Sequence, residues 1–409
     1  MKILMVTRES QADKRYGLGQ SLMPLIEEFR LRGIMVDYIC QTDLGVRSIL
    51  WQHRLHRLLV SLTRISKTDT DFLSLLYGIL ERFNMGRLAA KQAAKYGHTH
   101  VHCHDPIIAA GFRFFARFNS GCRAIWGVTE HGFGCYAQAI HEDGARLGRQ
   151  IMRVMRNWEA STLLAASWVI APTRSGIAQL AGDLGISPAP ASWHSVVHAR
   201  PVLNHYSKEA ARNQLGWDDA VYMLGVGRIA PVKQFPLLVE ACSRLKIKKD
   251  LQLVILGEGD SGSLQELARR LGLSREIMFA TTENMGLYLC AADLYVSASA
   301  SESFGLANLE ALVAGTAAVC TAVGGVPEVV GGGALLAEPT LESLTRTIQC
   351  LLDDDELRKA IAQKGHARAE IWPNIIEITD AYEAIYRQAA ASQDSPAKAL
   401  PVTDSTDSN

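Results

Sequence analysis

The chain has 409 residues, which at roughly 150 residues per domain gives room for two or three domains and excludes a peptide-sized or disulfide-stapled fold. Lys plus Arg number 42 and Asp plus Glu also number 42, so the formal net charge is +0 and no global field is available to hold a nucleic acid. Hydrophobic residues at 48% and charged residues at 21% exclude a disordered or fibrous chain.

Read from the N-terminus, the apolar stretch before Arg8 and Glu9 is too short for a signal peptide, and the expectation is a cytoplasmic protein. The eight cysteines are scattered without a C-x-x-C pair, which suits reduced thiols and argues against a structural zinc or disulfide framework. Strand patterns fall at Lys2 to Thr7, Met35 to Cys40, His98 to His104, Arg123 to Thr129 and Ser167 to Ala171. Between the first two, Leu22, Leu25, Ile26 and Phe29 recur at helical spacing and Gly33 supplies a stop. Pro188, Pro190 and Pro201 break the alternation between Ser187 and Ser207, where the domain linker is expected.

A second series follows, with strands at Val221 to Gly225, Leu251 to Leu256, Asp293 to Ser297 and Ala317 to Thr321. Its first helix shows an apolar face of Leu237, Leu238, Ala241, Cys242 and Leu245. The fold class is therefore α/β, with two Rossmann-like domains in series and a cleft where the carboxyl ends of the strands gather. The boundaries expected are 1–200 and 201–374, then a C-terminal helix over 375–391 that could return to the first domain. Residues 392–409 lack an apolar face and read as a disordered tail.

The segment from Ser297 to Val330 is the most informative. A strand ends there and a short helix begins around Phe304, so unpaired N–H groups face the cleft as a phosphate seat. Glu310 in that helix could accept from ribose hydroxyls, and Glu302 on the preceding loop could hold a second polyol. A plain helix-start carboxylate is the competing account of Glu310. Arg228 and Lys233 follow a strand and could neutralise a diphosphate, Arg as a bidentate fork and Lys as a point charge. The same stretch, GVGRIA, mimics a dinucleotide fingerprint, but Pro231 and Lys233 stand where the fingerprint needs the body of a helix.

These motifs resemble the retaining glycosyltransferases of family four, also called group one, which have the GT-B fold of two facing Rossmann-like domains. The carriers are Glu302 and Glu310 with Phe304, Gly305 and Leu306 between them, GGVPE downstream, GRIAPVK at Gly227 to Lys233, GLGQSLMPLIEEFRLRG at Gly17 to Gly33, and VHCHD at Val101 to Asp105. The resemblance implies transfer of a sugar from a nucleotide-diphosphate sugar with retention of configuration, without metal or further cofactor. It implies catalytic roles for His131, Glu302, Arg228 and Lys233, and donor contacts from Gly17, Gly19, Glu302, Phe304, Gly305, Leu306 and Glu310. In it His131 contacts the donor sugar near the reacting carbon. Two regions depart from the family pattern, SVVHARPVLN in place of an Asn-Gly pair and ATTE at Ala280 to Glu283 in place of a glycine.

His98, His100, His102 and His104 alternate along one strand, and ligands on one straight strand do not surround a tetrahedral metal. Asp69, Thr70 and Asp71 read as the opening of a helix near Phe72. The alternatives carried forward are an NAD-dependent oxidoreductase, a sugar-nucleotide epimerase and a catalytically silent scaffold. Charge pattern suggests an acceptor that is a glycan or lipid-linked. Arg47, Arg54, Arg57, Arg64 and Lys67 flank a stripe of Trp51, Leu55, Leu58, Leu62 and Ile65, and Arg146, Arg149, Arg153 and Arg156 lie beside Leu147, Ile151 and Val154. Such helices could rest on anionic lipid at the inner face of the cytoplasmic membrane, or be ordinary packed helices with solvated arginines.

Overall fold

The computed structural model describes residues 1–9, 17–63, 70–142, 148–246, 250–273 and 276–394. The first sheet is formed by β1 (Lys2–Val6), β2 (Met35–Ile39), β3 (His100–Cys103), β4 (Ile125–Thr129), β5 (Val169–Ala171) and β6 (Trp193–Ser195), in the order β2-β1-β3-β4-β5-β6. The second is formed by β7 (Val221–Val226), β8 (Leu251–Leu256), β9 (Ile277–Ala280), β10 (Leu294–Ser297), β11 (Ala318–Thr321) and β12 (Leu335–Ala337), in the order β12-β11-β10-β7-β8-β9. Every pairing is parallel. Parallel strands need helical crossovers, so the central strands are buried on both faces and read as apolar runs.

The strands that sequence patterning missed, β6, β9 and β12, lie at sheet edges and are three or four residues long. Short edge strands need not carry a continuous apolar run, because one side meets no neighbour. β6 also corrects the expected linker, since Trp193–Ser195 pairs with β5 inside the Pro-broken stretch. Strand β9 is a third edge, half-buried along its length.

The C-terminal helix, Ile375–Asp394, crosses back onto the first sheet. Its Ile378, Tyr382, Ile385 and Tyr386 share one core with Ile3, Met5, Leu22, Ile26, Phe29 and Trp168. Arg32 anchors it from outside, donating to Glu28, Asp380 and the Ile376 carbonyl. That helix includes Ser392–Asp394, so the expected tail cannot begin at 392; residues 395–409 lie outside the described residues.

The helix over Thr70–Tyr96 begins where the Asp-Thr-Asp reading expected one, though Thr68 and Asp69 themselves lie outside the described residues. Of the basic stripes, Arg64, Ile65, Lys67, Arg146 and Leu147 lie outside them too. All eight cysteines are free thiols. Among the described residues no helix is long and apolar enough to cross a membrane.

Candidate functional site at the seam between the sheets

The strand ends of the two sheets face one another across a narrow seam, and the charged residues there are supplied by loops. After β7 the chain passes Gly227 and the exposed Arg228 into a short turn, Pro231–Lys233. The next helix, Phe235–Arg244, starts only after Gln234. Residues 228–234 are therefore loop and turn, and the helix that a dinucleotide fingerprint requires directly after its glycines is missing. That corrects the oxidoreductase alternative.

Lys233 Nζ pairs with Glu302 Oε1, joining the loop after β7 to the loop after β10. Ser299 Oγ donates to the same carboxylate oxygen at 2.9 Å. Arg228 makes no ion pair among the described residues. The backbone then turns at Gly305, whose φ of 79° is left-handed, and the helix Leu306–Val313 begins. No side chain caps that helix start. Phe304 is buried in the second core, and Leu306 is half-buried beside it.

Glu310 sits in the second turn of this helix, not the first, so favourable placement at a helix start does not account for it. The carboxylate is 3% exposed, and burial pushes its pKa up to about 7 against a hydrogen bond that lowers it. The donor of that bond is Gln20 Nε2, at 2.7 Å, from the opposite sheet's first helix. That helix, Gly17–Leu31, contains Gly17 and Gly19 in its first turn.

His131 lies two residues beyond the end of β4. Its carbonyl accepts from Ser303 Oγ at 2.6 Å, and its ring Nε2 lies 3.0 Å from Nδ1 of His104, the residue after β3. Burial, then the neighbouring His104 and His198, hold the imidazole pKa of His131 well below the usual range, and His104 is lowered likewise by burial, His102 and His198. Asp105 caps the next helix, accepting from the Ile107 and Ile108 amides, and pairs with Arg82 at 3.1 Å.

The alternating histidines each have a protein partner. His98 meets Asp37 at 2.8 Å, His100 meets Thr99 and the Tyr386 carbonyl, and His102 bridges the Tyr386 hydroxyl at 2.6 Å and Thr129 at 2.7 Å. Among the described residues no three His, Cys, Asp or Glu side chains converge to hold a metal ion.

Several seam contacts were missed by sequence reasoning. Thr173 Oγ1 donates to the Ser303 carbonyl at 3.0 Å. Glu328, in the GGVPE segment, accepts from the Arg174 and Ser175 amides at 3.1 and 3.2 Å. Those amides open the helix Arg174–Leu184, so a carboxylate from one sheet's domain caps a helix of the other. Gly324, at φ 54°, passes so close to the Glu302 carbonyl that a Cβ would stand 2.0 Å from it. Gln20 and Glu328 both lay inside motifs already singled out; what hid them was that their partners are 290 and about 154 residues away in sequence.

The chain matches the glycosyl transferases group 1 family over residues 207–368. It is 35% identical over 207 residues to a D-inositol 3-phosphate glycosyltransferase of Geodermatophilus obscurus, covering 46% of this chain and 46% of the relative. The alignment thus spans about half the length of the curated relatives it matches. In structure it resembles sucrose-phosphate synthase from Thermosynechococcus elongatus, with a TM-score of 0.73 at 20% identity over 96% of this chain and 100% of that one. It also resembles Anabaena HepE in complex with UDP and glucose, with a TM-score of 0.67 at 16% identity over 95% and 100% of the two chains. At these identities the structural likeness speaks for the fold.

Proposed function

From a chain that carries a glycosyl transferases group 1 domain at residues 207–368 within a GT-B fold, we propose a glycosyltransferase that moves a sugar from a nucleotide-diphosphate donor to an acceptor with retention of configuration. The observation that carries this reading is the meeting of Lys233 with Glu302, from two adjacent strand ends, opposite His131 from the other sheet and bonded to it through Ser303. A cation, a carboxylate and the backbone of His131 thereby meet at one seam. The UDP and glucose held by the structural neighbour are in keeping with such a donor.

In this mechanism Arg228 and Lys233 stabilise the diphosphate as its charge grows, an electrostatic task that serves the transition state more than the ground state. Glu302 orients the donor sugar, Glu310 takes the ribose, and His131 contacts the sugar near its reacting carbon. The bond from the anomeric carbon to the phosphate breaks with its electron pair on oxygen. The acceptor oxygen then forms its bond on the same face, and its proton passes to the departing phosphate. Gly17, Gly19, Phe304, Gly305 and Leu306 shape the donor pocket. Two cations and an uncapped helix start perform the charge neutralisation, so no metal is required.

The acceptor in this reading is a lipid-linked or cell-surface glycan, reached from the inner face of the cytoplasmic membrane. Support comes from the surface. Exposed Val46, Leu50 and Leu58 accompany exposed Arg54 and Arg57 on the helix Val46–Thr63, and exposed Ile151 and Val154 accompany Arg149 and Arg153 on Arg149–Leu163.

The test is a screen of nucleotide-sugars for thermal stabilisation and turnover, followed by variants. Arg228→Ala and Lys233→Ala should weaken diphosphate binding and turnover, while Glu302→Gln chiefly damages handling of the sugar. Unchanged turnover in all three removes the site, and product formed without any acceptor would favour an epimerase.

A further inference from the structure

We propose that His104 is a positioning residue that fixes His131 in the tautomer with its proton on Nδ1, so that His131 meets the sugar as a hydrogen-bond donor and not as a base. The inference rests on the placement of His131 at the donor sugar under Proposed function.

Its ground is a proton count. His104 Nδ1 and His131 Nε2 are 3.0 Å apart, which is hydrogen-bond distance for two ring nitrogens. Burial keeps both rings neutral, so each carries one N–H and one lone pair. Two bare lone pairs or two N–H groups cannot face each other at this distance. One proton therefore lies between the rings, and the question is which ring owns it.

If His131 owned it, the proton of His104 would have to sit on Nε2. That atom is buried and has no hydrogen-bond partner, so this arrangement strands an N–H, and orphaned buried donors are rare in folded proteins. If His104 owns it, Nδ1–H donates to His131 and only a lone pair is left at the buried Nε2. The second arrangement forces the proton of His131 onto Nδ1. No residue among those described hydrogen-bonds that nitrogen, and the carbonyl of the same residue is held by Ser303 from the opposite sheet, so the free N–H belongs to a residue pinned at the seam.

The consequence is chemical. An Nδ1–H can donate to a sugar oxygen but cannot take the acceptor's proton, which leaves that proton to the departing phosphate. His104 is itself held by the ladder behind it. Its ring stacks on His102 with centroids 4.3 Å apart, and His102 is fixed on both nitrogens by Tyr386 and Thr129.

The experiment is nitrogen-15 NMR of the full chain with labelled histidine, reading which nitrogen of His131 and of His104 is protonated, with His131→Gln used to assign the signal. The expected result is Nδ1–H on both rings. A proton on Nε2 of His131, or averaging between the two tautomers, overturns the proposal. Kinetics supply the second readout: His104→Asn, which keeps a donor near the Nδ1 position, should retain most of kcat, and His104→Ala should lower kcat about tenfold with little change in donor KM. Equal kcat for the two variants also overturns it. If the tautomers are as proposed but His131→Ala leaves turnover unchanged, the placement of His131 at the sugar is what fails.

Discussion

Replacing Glu310 by Gln should make the unliganded protein more stable at alkaline pH while weakening its hold on nucleotide. Glu310 is 3% exposed, and burial raises its pKa from 4.5 to about 7. A carboxyl whose folded pKa lies above its unfolded value binds more protons when folded, so its favourable contribution is complete below pH 4.5 and is lost as pH rises through 7. Integrated from pH 4.5 to pH 8, that loss is about 3 kcal/mol. Gln cannot ionise and still offers Gln20 an acceptor, so the variant lacks this slope.

Thermal unfolding of both proteins at pH 5 and pH 8 reads the effect, at about 2–4 °C per kcal/mol for domains of this size. The wild type should fall behind the variant by several degrees on going to pH 8. Parallel stability at both pH values would refute the reasoning. Titration with the preferred nucleotide should show the opposite order, the variant binding about 10-fold or more weakly, because a charged acceptor for ribose hydroxyls has become neutral.

Glu328→Ala removes the carboxylate that caps the helix Arg174–Leu184 from across the seam, at a cost of about 1–2 kcal/mol to closure. Small-angle scattering should show a larger radius of gyration and the donor KM should rise; an unchanged scattering curve excludes the capping role. EDTA should leave turnover largely intact, and complete loss restored by magnesium or manganese would overturn neutralisation by Arg228 and Lys233. Sedimentation with anionic liposomes should carry the protein down at low salt and release it at high salt. Recovery in the supernatant at low salt makes a soluble acceptor the better reading.

The central strands were legible because parallel strands buried on both faces must be written in apolar residues, as in KILMV of β1 and LQLVIL of β8. The edges β6, β9 and β12 were not, because three or four residues with one open side carry too little pattern. Residue type and position at strand ends single out Glu302, Lys233 and His131 in the sequence, and the structure joins the first two directly and ties the backbone of the third to Ser303. What no local pattern encodes is pairing. The Lys233 contact with Glu302 spans 69 residues, and the Tyr386 contact with His102 spans 284. Those distances explain His100 and His102 too, which look like ligands along the strand but are met by the C-terminal helix.

The pairings also say something about how the seam must work. Glu302 is held by Lys233 and Ser299, and Glu310 by Gln20. Under the proposed function a donor entering the seam would exchange these contacts for its own, so each bond to Glu302 or Glu310 would return only the difference between two hydrogen bonds. A sugar lacking the right hydroxyls therefore loses to the protein's own side chains, and selectivity follows from competition. Arg228 stands apart: exposed and without an ion pair among the described residues, it has no partner to surrender. Under the proposed function, affinity for the diphosphate would accumulate there without exchange, whereas discrimination between sugars would fall to Glu302, whose binding is measured against its pairing with Lys233.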